Sequence, residues 1–190
     1  SILRFAQKTL DVLLPIIFSR PNELKVAAKM KILIIKQDHI GDLFLNQIAF
    51  SDLNRKHETH YVINPYCKKL ASKIMPHQKV FLINHFMHDR SSLNMVSRVL
   101  GMINTIIEFK RLFSTNSYDL IILARTGPGN GVFWCRLFTR TPIIGFDVGG
   151  FKKLLSRYLD LPNNAHEVEI QTKKALQGQQ SKVFVSIERK

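Results

Sequence analysis

The sequence predicts an α/β fold, a Rossmann-like open and mostly parallel sheet with helices on both faces, and three observations carry that expectation. Short runs such as KILIIK at residues 31–36 and DLIILA at 119–124 are apolar almost throughout and lack inward–outward alternation. That pattern marks strands buried on both faces of a parallel sheet. Between such runs lie stretches whose apolar residues recur at helical spacing, so strand and helix alternate along the chain. The loops that leave the strands collect glycine, charge and histidine, and ligands of open α/β sheets bind beyond the carboxyl ends of the strands.

Taken in order, residues 2–18 read as an amphipathic helix. Arg4, Lys8 and Asp11 fall at i, i+4 and i+7, one polar stripe on an otherwise apolar cylinder. Its apolar face either packs on the domain or lies in a membrane interface. A turn at residues 19–22 and a basic lead-in follow, so residues 1–29 precede the domain proper. The first strand is 31–36, and a helix opens at Gly41 and Asp42 and runs to about Lys56. A second strand at 60–63 ends at Asn64 and Pro65, and a helix continues to about Met75. Val80 to Ile83 is the third strand, and Ser91 and Ser92 look like the N-cap of a long helix ending near Phe113. The fourth strand is 119–124, its loop runs from Arg125 to Asn130, and another helix leads to a fifth strand at 142–146. Two more helical stretches are expected at 151–158 and 165–176. The domain therefore covers 30–177, and residues 178–190 read as a polar linker and a strand that begins a further unit, as in a two-domain protein cut short.

Composition narrows the function classes. A chain of 190 residues, 45% hydrophobic and with a mean hydropathy of -0.02, has the proportions of a globular protein rather than a disordered or spanning one. Lys and Arg number 28 against 14 Asp and Glu, a formal charge of +14. Such a surface attracts polyanions: nucleic acid, an anionic membrane face or an acidic substrate. No RNP-like aromatic pattern, KH-type loop or Cys/His finger accompanies it. Cys67 and Cys135 sit in apolar surroundings and read as free buried thiols rather than a disulfide. The pairs His57/His60 and His85/His88 are not continued at any zinc-ligand spacing, so they read as solvated histidines and no metal is expected. No segment offers the roughly 20 apolar residues that cross a bilayer, and no secretory cleavage site follows residues 2–18.

Three loops bring chemistry to the carboxyl edge of the sheet. The first strand delivers Lys36, Gln37, Asp38, His39, Gly41 and Asp42. The fourth delivers Arg125, Thr126, Gly127, Gly129 and Asn130. The fifth delivers Asp147, Gly149 and Gly150, with Lys152 and Lys153 close behind. Asp42 at a helix start either caps free amides or, beside a pocket, takes a proton from a hydroxyl nucleophile. Gly41 permits a tight turn and a close approach of substrate. The 127–130 loop is either an ordinary turn or a set of amides facing an anion. It is not a P-loop, and no GxGxxG follows the first strand. Lys36, His39, Gly41, Arg125 and Asn130 are the substrate-binding candidates from this edge.

The stretch KILIIKQDHIGDLFL at 31–45 resembles the opening of glycosyltransferase family 9, the lipopolysaccharide heptosyltransferases, in its strand, short polar loop and Gly-Asp at a helix start. IIGFD at 143–147, the Gly149–Gly150 pair with its basic follow-up and HEVE at 166–169 are similar to further landmarks of that family. The similarity runs from about Met30 to Leu176. It implies a GT-B fold of two Rossmann-like domains, this chain supplying the N-terminal one that holds a lipid-linked, anionic saccharide acceptor. The second domain would hold the nucleotide sugar, typically ADP-heptose, as co-substrate, with no other cofactor. The resemblance also implies single-displacement, inverting transfer with Asp42 as the base. Lys36 matches a basic position facing acceptor phosphate or carboxylate, and Lys152 stands near a family arginine that engages acidic acceptor groups. His166 matches a landmark that orients the helix toward the second domain. The donor domain is missing and residues 1–29 precede the usual family start, so the chain is expected to be inactive alone. The expected location is cytoplasmic, at the inner membrane face, where a basic surface recruits an anionic lipid-borne acceptor. Two other readings stay open: a non-catalytic binding module of the same fold, and a basic nucleic-acid-binding α/β domain.

Overall fold

A computed structural model describes residues 22, 27–37, 40–84, 95–125, 131–146 and 151–159. The expected N-terminal helix, the Ser91–Ser92 cap, the 165–176 helix and the tail strand lie outside these residues. The elements in chain order are β1 (Lys31–Lys36), α1 (Ile40–Ala49), α2 (Ser51–Lys56), β2 (Glu58–Ile63), a 3₁₀ turn (Pro65–Cys67), α3 (Lys68–Ile74) and β3 (Lys79–Leu82). Then come α4 (Met95–Thr115), β4 (Leu120–Leu123), α5 (Val132–Phe138), β5 (Ile143–Phe146), a second 3₁₀ turn (Lys152–Leu154) and β6 (Arg157–Leu159). The six strands form one sheet in the order β3-β2-β1-β4-β5-β6, and every neighbouring pair is parallel. This is the doubly wound α/β order, with the strand sequence reversing between β1 and β4.

The parity of β1 explains the layers. Ile32 and Ile34 enter a core with Leu43, Phe50, Leu53, Cys67, Ala71 and Met75 from α1 to α3 and their connections. Leu33 and Ile35 enter the opposite core, with Phe109 and Leu112 of α4 and Trp134 and Cys135 of α5. A strand covered on both faces gains nothing from alternation, which is why these runs are continuously apolar. Both cysteines are buried, and burial pushes the Cys135 thiol up to about 12.

Three expectations are corrected. The single helix over 41–56 is two, divided at Phe50, whose backbone leaves helical values at φ -98, ψ 9. Phe50 at the break and Leu53 beyond it are both fully buried. Asn54 Oδ1 accepts from the Thr59 hydroxyl at 2.7 Å and the Tyr61 hydroxyl at 2.8 Å. The helix expected over 151–158 is instead a 3₁₀ turn and a sixth strand. β5 offers an open row of backbone groups, and residues 157–159 pair with residues 144–146, while Leu154 and Leu155 become buried. Tertiary pairing overrides local propensity there. Arg136, itself buried, fixes the turn by donating from Nε to the Leu154 carbonyl at 2.7 Å and from Nη1 to the Thr141 carbonyl at 2.7 Å. Burial lowers its guanidinium to about 10.

The third correction concerns His60, which is enclosed rather than solvated. Its Nδ1 lies 3.0 Å from the Tyr118 hydroxyl and its Nε2 lies 3.0 Å from Glu58 Oε1, which also meets Lys31 Nζ at 3.3 Å. Tyr61 and Ile63 face one core, so strand parity turns His60 and Val62 to the other, among Phe81 and Tyr118.

Candidate active site

The carboxyl edge of the sheet is tied together by two buried polar side chains, one at the last residue of β1 and one just past it. Lys36, only 2% exposed, sends its ammonium to the Ala124 carbonyl at the tip of β4, 2.9 Å away. The Ala124 amide in turn donates to the Ile35 carbonyl at 2.9 Å. This pair of contacts closes the switch point between β1 and β4. Gln37, also 2% exposed, reaches past β2 and donates from Nε2 to the Ile83 carbonyl at 2.8 Å, just beyond β3. Strand tips that would otherwise splay as the sheet twists are thereby held at fixed spacing. The sequence alone puts Gln37 in this loop without a role. The signal was available: a long polar side chain one residue past a strand must satisfy its amide or leave the core.

Asn64, buried at the tip of β2, starts the Pro65 turn by accepting the Cys67 amide on its carbonyl at 2.9 Å. Gly131 is the glycine of the 125–131 connection whose need is visible. Its φ of +87 is left-handed, and a Cβ there would stand 3.4 Å from Ile35 Cγ2. It caps α5 where L side chains are strained. The sequence points to Gly127 and Gly129 instead, which lie outside the described residues, as do His39 and Asn130.

Asp42 belongs to the first turn of α1, directly past the end of β1. Gly41 precedes it in the same turn, with no positive φ and nothing within 4 Å of where a Cβ would stand. A tight turn is therefore not what Gly41 serves. Arg125 follows Ala124 immediately and is partly exposed, so β1 and β4 bring Lys36 and Arg125 to the same tip. Lys152 stands apart from that pair. Its ammonium lies 3.7 Å from the ring centroid of Tyr158 on β6, a cation–π contact at the far edge of the sheet. No group of three His, Cys, Asp or Glu gathers among the described residues. Two cavities are lined by described residues. One of about 300 Å³ sits between β3 and α4, lined by residues such as Phe81, Glu108 and Arg111. Another of about 420 Å³ lies around Ser114–Tyr118, Thr139 and Thr141.

No family model matches the chain, and no curated protein matches it in sequence. Solved structures do. The chain is similar to a glycosyl transferase family 9 protein from Veillonella parvula DSM 2008 at a TM-score of 0.61 and 13% identity, over 82% of this chain and 43% of that one. It is similar to the Escherichia coli heptosyltransferase WaaC, solved with ADP-2-deoxy-2-fluoro heptose, at a TM-score of 0.57 and 13% identity, over 78% and 48%. MurG from Acinetobacter baumannii follows at a TM-score of 0.50 and 11% identity, over 70% and 43%. At these identities the likeness is one of fold: a Rossmann-like α/β domain of the kind found in family 9 heptosyltransferases and other glycosyltransferases. The chain spans less than half the length of these proteins.

Proposed function

We propose that this chain is the acceptor-side domain of an inverting, heptosyltransferase-like glycosyltransferase, with Asp42 as its general base. The observation that carries the reading is the position of Gly41 and Asp42. They occupy the first turn of α1 beyond the carboxyl end of β1, in a sheet with the fold of family 9 heptosyltransferases. A carboxylate there takes the proton of an acceptor hydroxyl as its oxygen attacks the anomeric carbon of a nucleotide sugar. The bond from that carbon to the nucleotide diphosphate breaks, and the configuration inverts. The nucleotide sugar, ADP-heptose on this reading, is held by a second domain. The acceptor is an anionic saccharide of the lipopolysaccharide-core type, carried on lipid at the cytoplasmic face of the membrane.

The chain's own residues then divide the work. Lys36 fixes a positive charge beneath the acceptor edge while bracing β4. Arg125, with His39 and Asn130, meets phosphate or carboxylate groups on the acceptor, and charge-assisted hydrogen bonds suit that recognition, while Lys152, on the Tyr158 ring at the far edge, is left for a more distant acidic group of the acceptor. Open space over Gly41 admits the acceptor to Asp42. In a form carrying both domains, Asp42→Asn keeps the size and much of the capping ability but removes basicity. The expected loss in transfer rate is about 10²–10⁴-fold, with acceptor binding and melting temperature unchanged. Near-normal transfer by the folded variant sinks the assignment and leaves Asp42 as a helix cap. Titration of the 190-residue chain with phosphorylated core oligosaccharide, against a random oligonucleotide of equal charge, tests the acceptor class. Preference for the oligonucleotide would favour a nucleic-acid-binding domain.

A further inference from the structure

Helix α4 is apolar on two opposite faces. Thr105, Phe109 and Leu112 point into the molecule and are buried. On the opposite side, Val96, Leu100, Ile103 and Ile107 are 65%, 55%, 42% and 55% exposed. At 100° per residue these four fall within a single 60° sector, a continuous stripe about 16 Å long at 1.5 Å per residue. A helix that is hydrophobic on both sides is normally covered on both, and an exposed stripe of this extent marks an interaction surface. Lys110 and Arg111, both exposed, flank the carboxyl-terminal end of the stripe on its two sides. Helix α1 also shows apolar Ile40, Phe44 and Ile48, but it contains no lysine or arginine.

We propose that this outward face of α4 seats on an anionic lipid bilayer. An apolar stripe bordered by cations is the arrangement that enters the headgroup–acyl boundary while its charges meet lipid phosphates. The chain's charge of +14 supplies long-range attraction of the same sign. No helix of the described residues is long and apolar enough to cross a membrane, so the contact would be peripheral. The topology adds a geometric point. Residues 83–94 lead from the carboxyl end of β3 into α4, and α4 ends before the amino end of β4. Val96 and Leu100 therefore mark the end of the stripe nearer the candidate site's edge.

Sedimentation with phosphatidylcholine vesicles, with and without phosphatidylglycerol, tests this on the 190-residue chain. The chain should pellet with the anionic vesicles. Leu100→Asn/Ile103→Asn/Ile107→Asn should weaken that binding roughly tenfold or more, and Lys110→Gln/Arg111→Gln should reduce its dependence on phosphatidylglycerol. Circular dichroism checks that each variant is folded. A second measurement stands even if the triple variant misfolds. A polarity-sensitive dye at Ile103→Cys should shift to the blue on anionic vesicles, while the same dye at Ser72→Cys, exposed on α3 on the other side of the sheet, should not. Undiminished binding by the folded triple variant, equal dye responses at both positions, or a stripe whose loss only turns a dimer into a monomer would each overturn the proposal. Transfer chemistry does not enter this argument, so its failure would leave the transferase reading intact.

Discussion

A lysine enclosed on a backbone carbonyl contributes differently from one in solvent. Lys36 has its ammonium on the Ala124 carbonyl, so Lys36→Met keeps the stem's volume while removing a charged donor. The expected cost is about 1–3 kcal/mol, read as a lower urea midpoint with unchanged slope. Equal or higher stability would mean that desolvation of the ammonium outweighs its bond. His60 gives a pH signature. Burial, followed by the nearby Lys31, lowers its pKa below the usual histidine value, so folding favours the neutral ring. For a base depressed in the folded state, stability is present above the unfolded value near 6.5 and is lost as pH falls below it. Glu58, whose pKa is lowered by its hydrogen bond from Lys31, works lower, from the ordinary glutamate range downward. Denaturation between about pH 7.5 and 5.5 should therefore show wild-type stability falling with acid and a His60→Gln variant varying less. A wild-type profile flat over that window would refute the assignment. His60's place was legible in principle from strand parity. The i,i+3 spacing of the two histidines drew attention away from it, although period 2 governs a strand.

At the scale of elements, the strands were read nearly to the residue because continuous apolar runs are a strong signal. The sixth was not. RYL at 157–159 has no such run, and what makes it a strand is the open edge of β5, a partner that no local window contains. Glycines divide in the same way. Gly131→Ala puts an L side chain at φ +87 and a Cβ 3.4 Å from Ile35. It should cost about 1–2 kcal/mol, measured by chemical denaturation, and a neutral result would mean that the turn relaxes without strain. Gly41→Ala should do the reverse. Its site is helical and open, so alanine should raise helix stability by up to about 1 kcal/mol while weakening acceptor binding if substrate crosses that surface. A variant that is stabilised and binds the acceptor normally would remove Gly41 from the site. The Gly-Asp pair was conspicuous in the sequence. Gln37, Asn64 and Gly131 were not, because their roles depend on which strand tips become neighbours.

Across the whole molecule, the doubly wound order follows from the alternation of strand and helix, and with it the edge where ligands bind. The loops that line that edge have no period to read, which is why candidate residues outnumber those the fold brings together. Charge acts at this scale too. With 28 basic residues against 14 acidic ones, like charges repel throughout the compact state. Salt shortens the Debye length from about 30 Å at 0.01 M to about 8 Å at 0.15 M, so it should relieve this repulsion. The same screening should weaken attraction for a phosphorylated acceptor. The two effects have opposite signs, so they separate cleanly. Raising sodium chloride over that range should raise the urea midpoint of the free chain and lower its affinity for core oligosaccharide. If the midpoint falls with salt, paired charges dominate the folded state instead. Acceptor affinity that ignored salt would argue against recognition through phosphate or carboxylate, and the basic surface would then need a different partner.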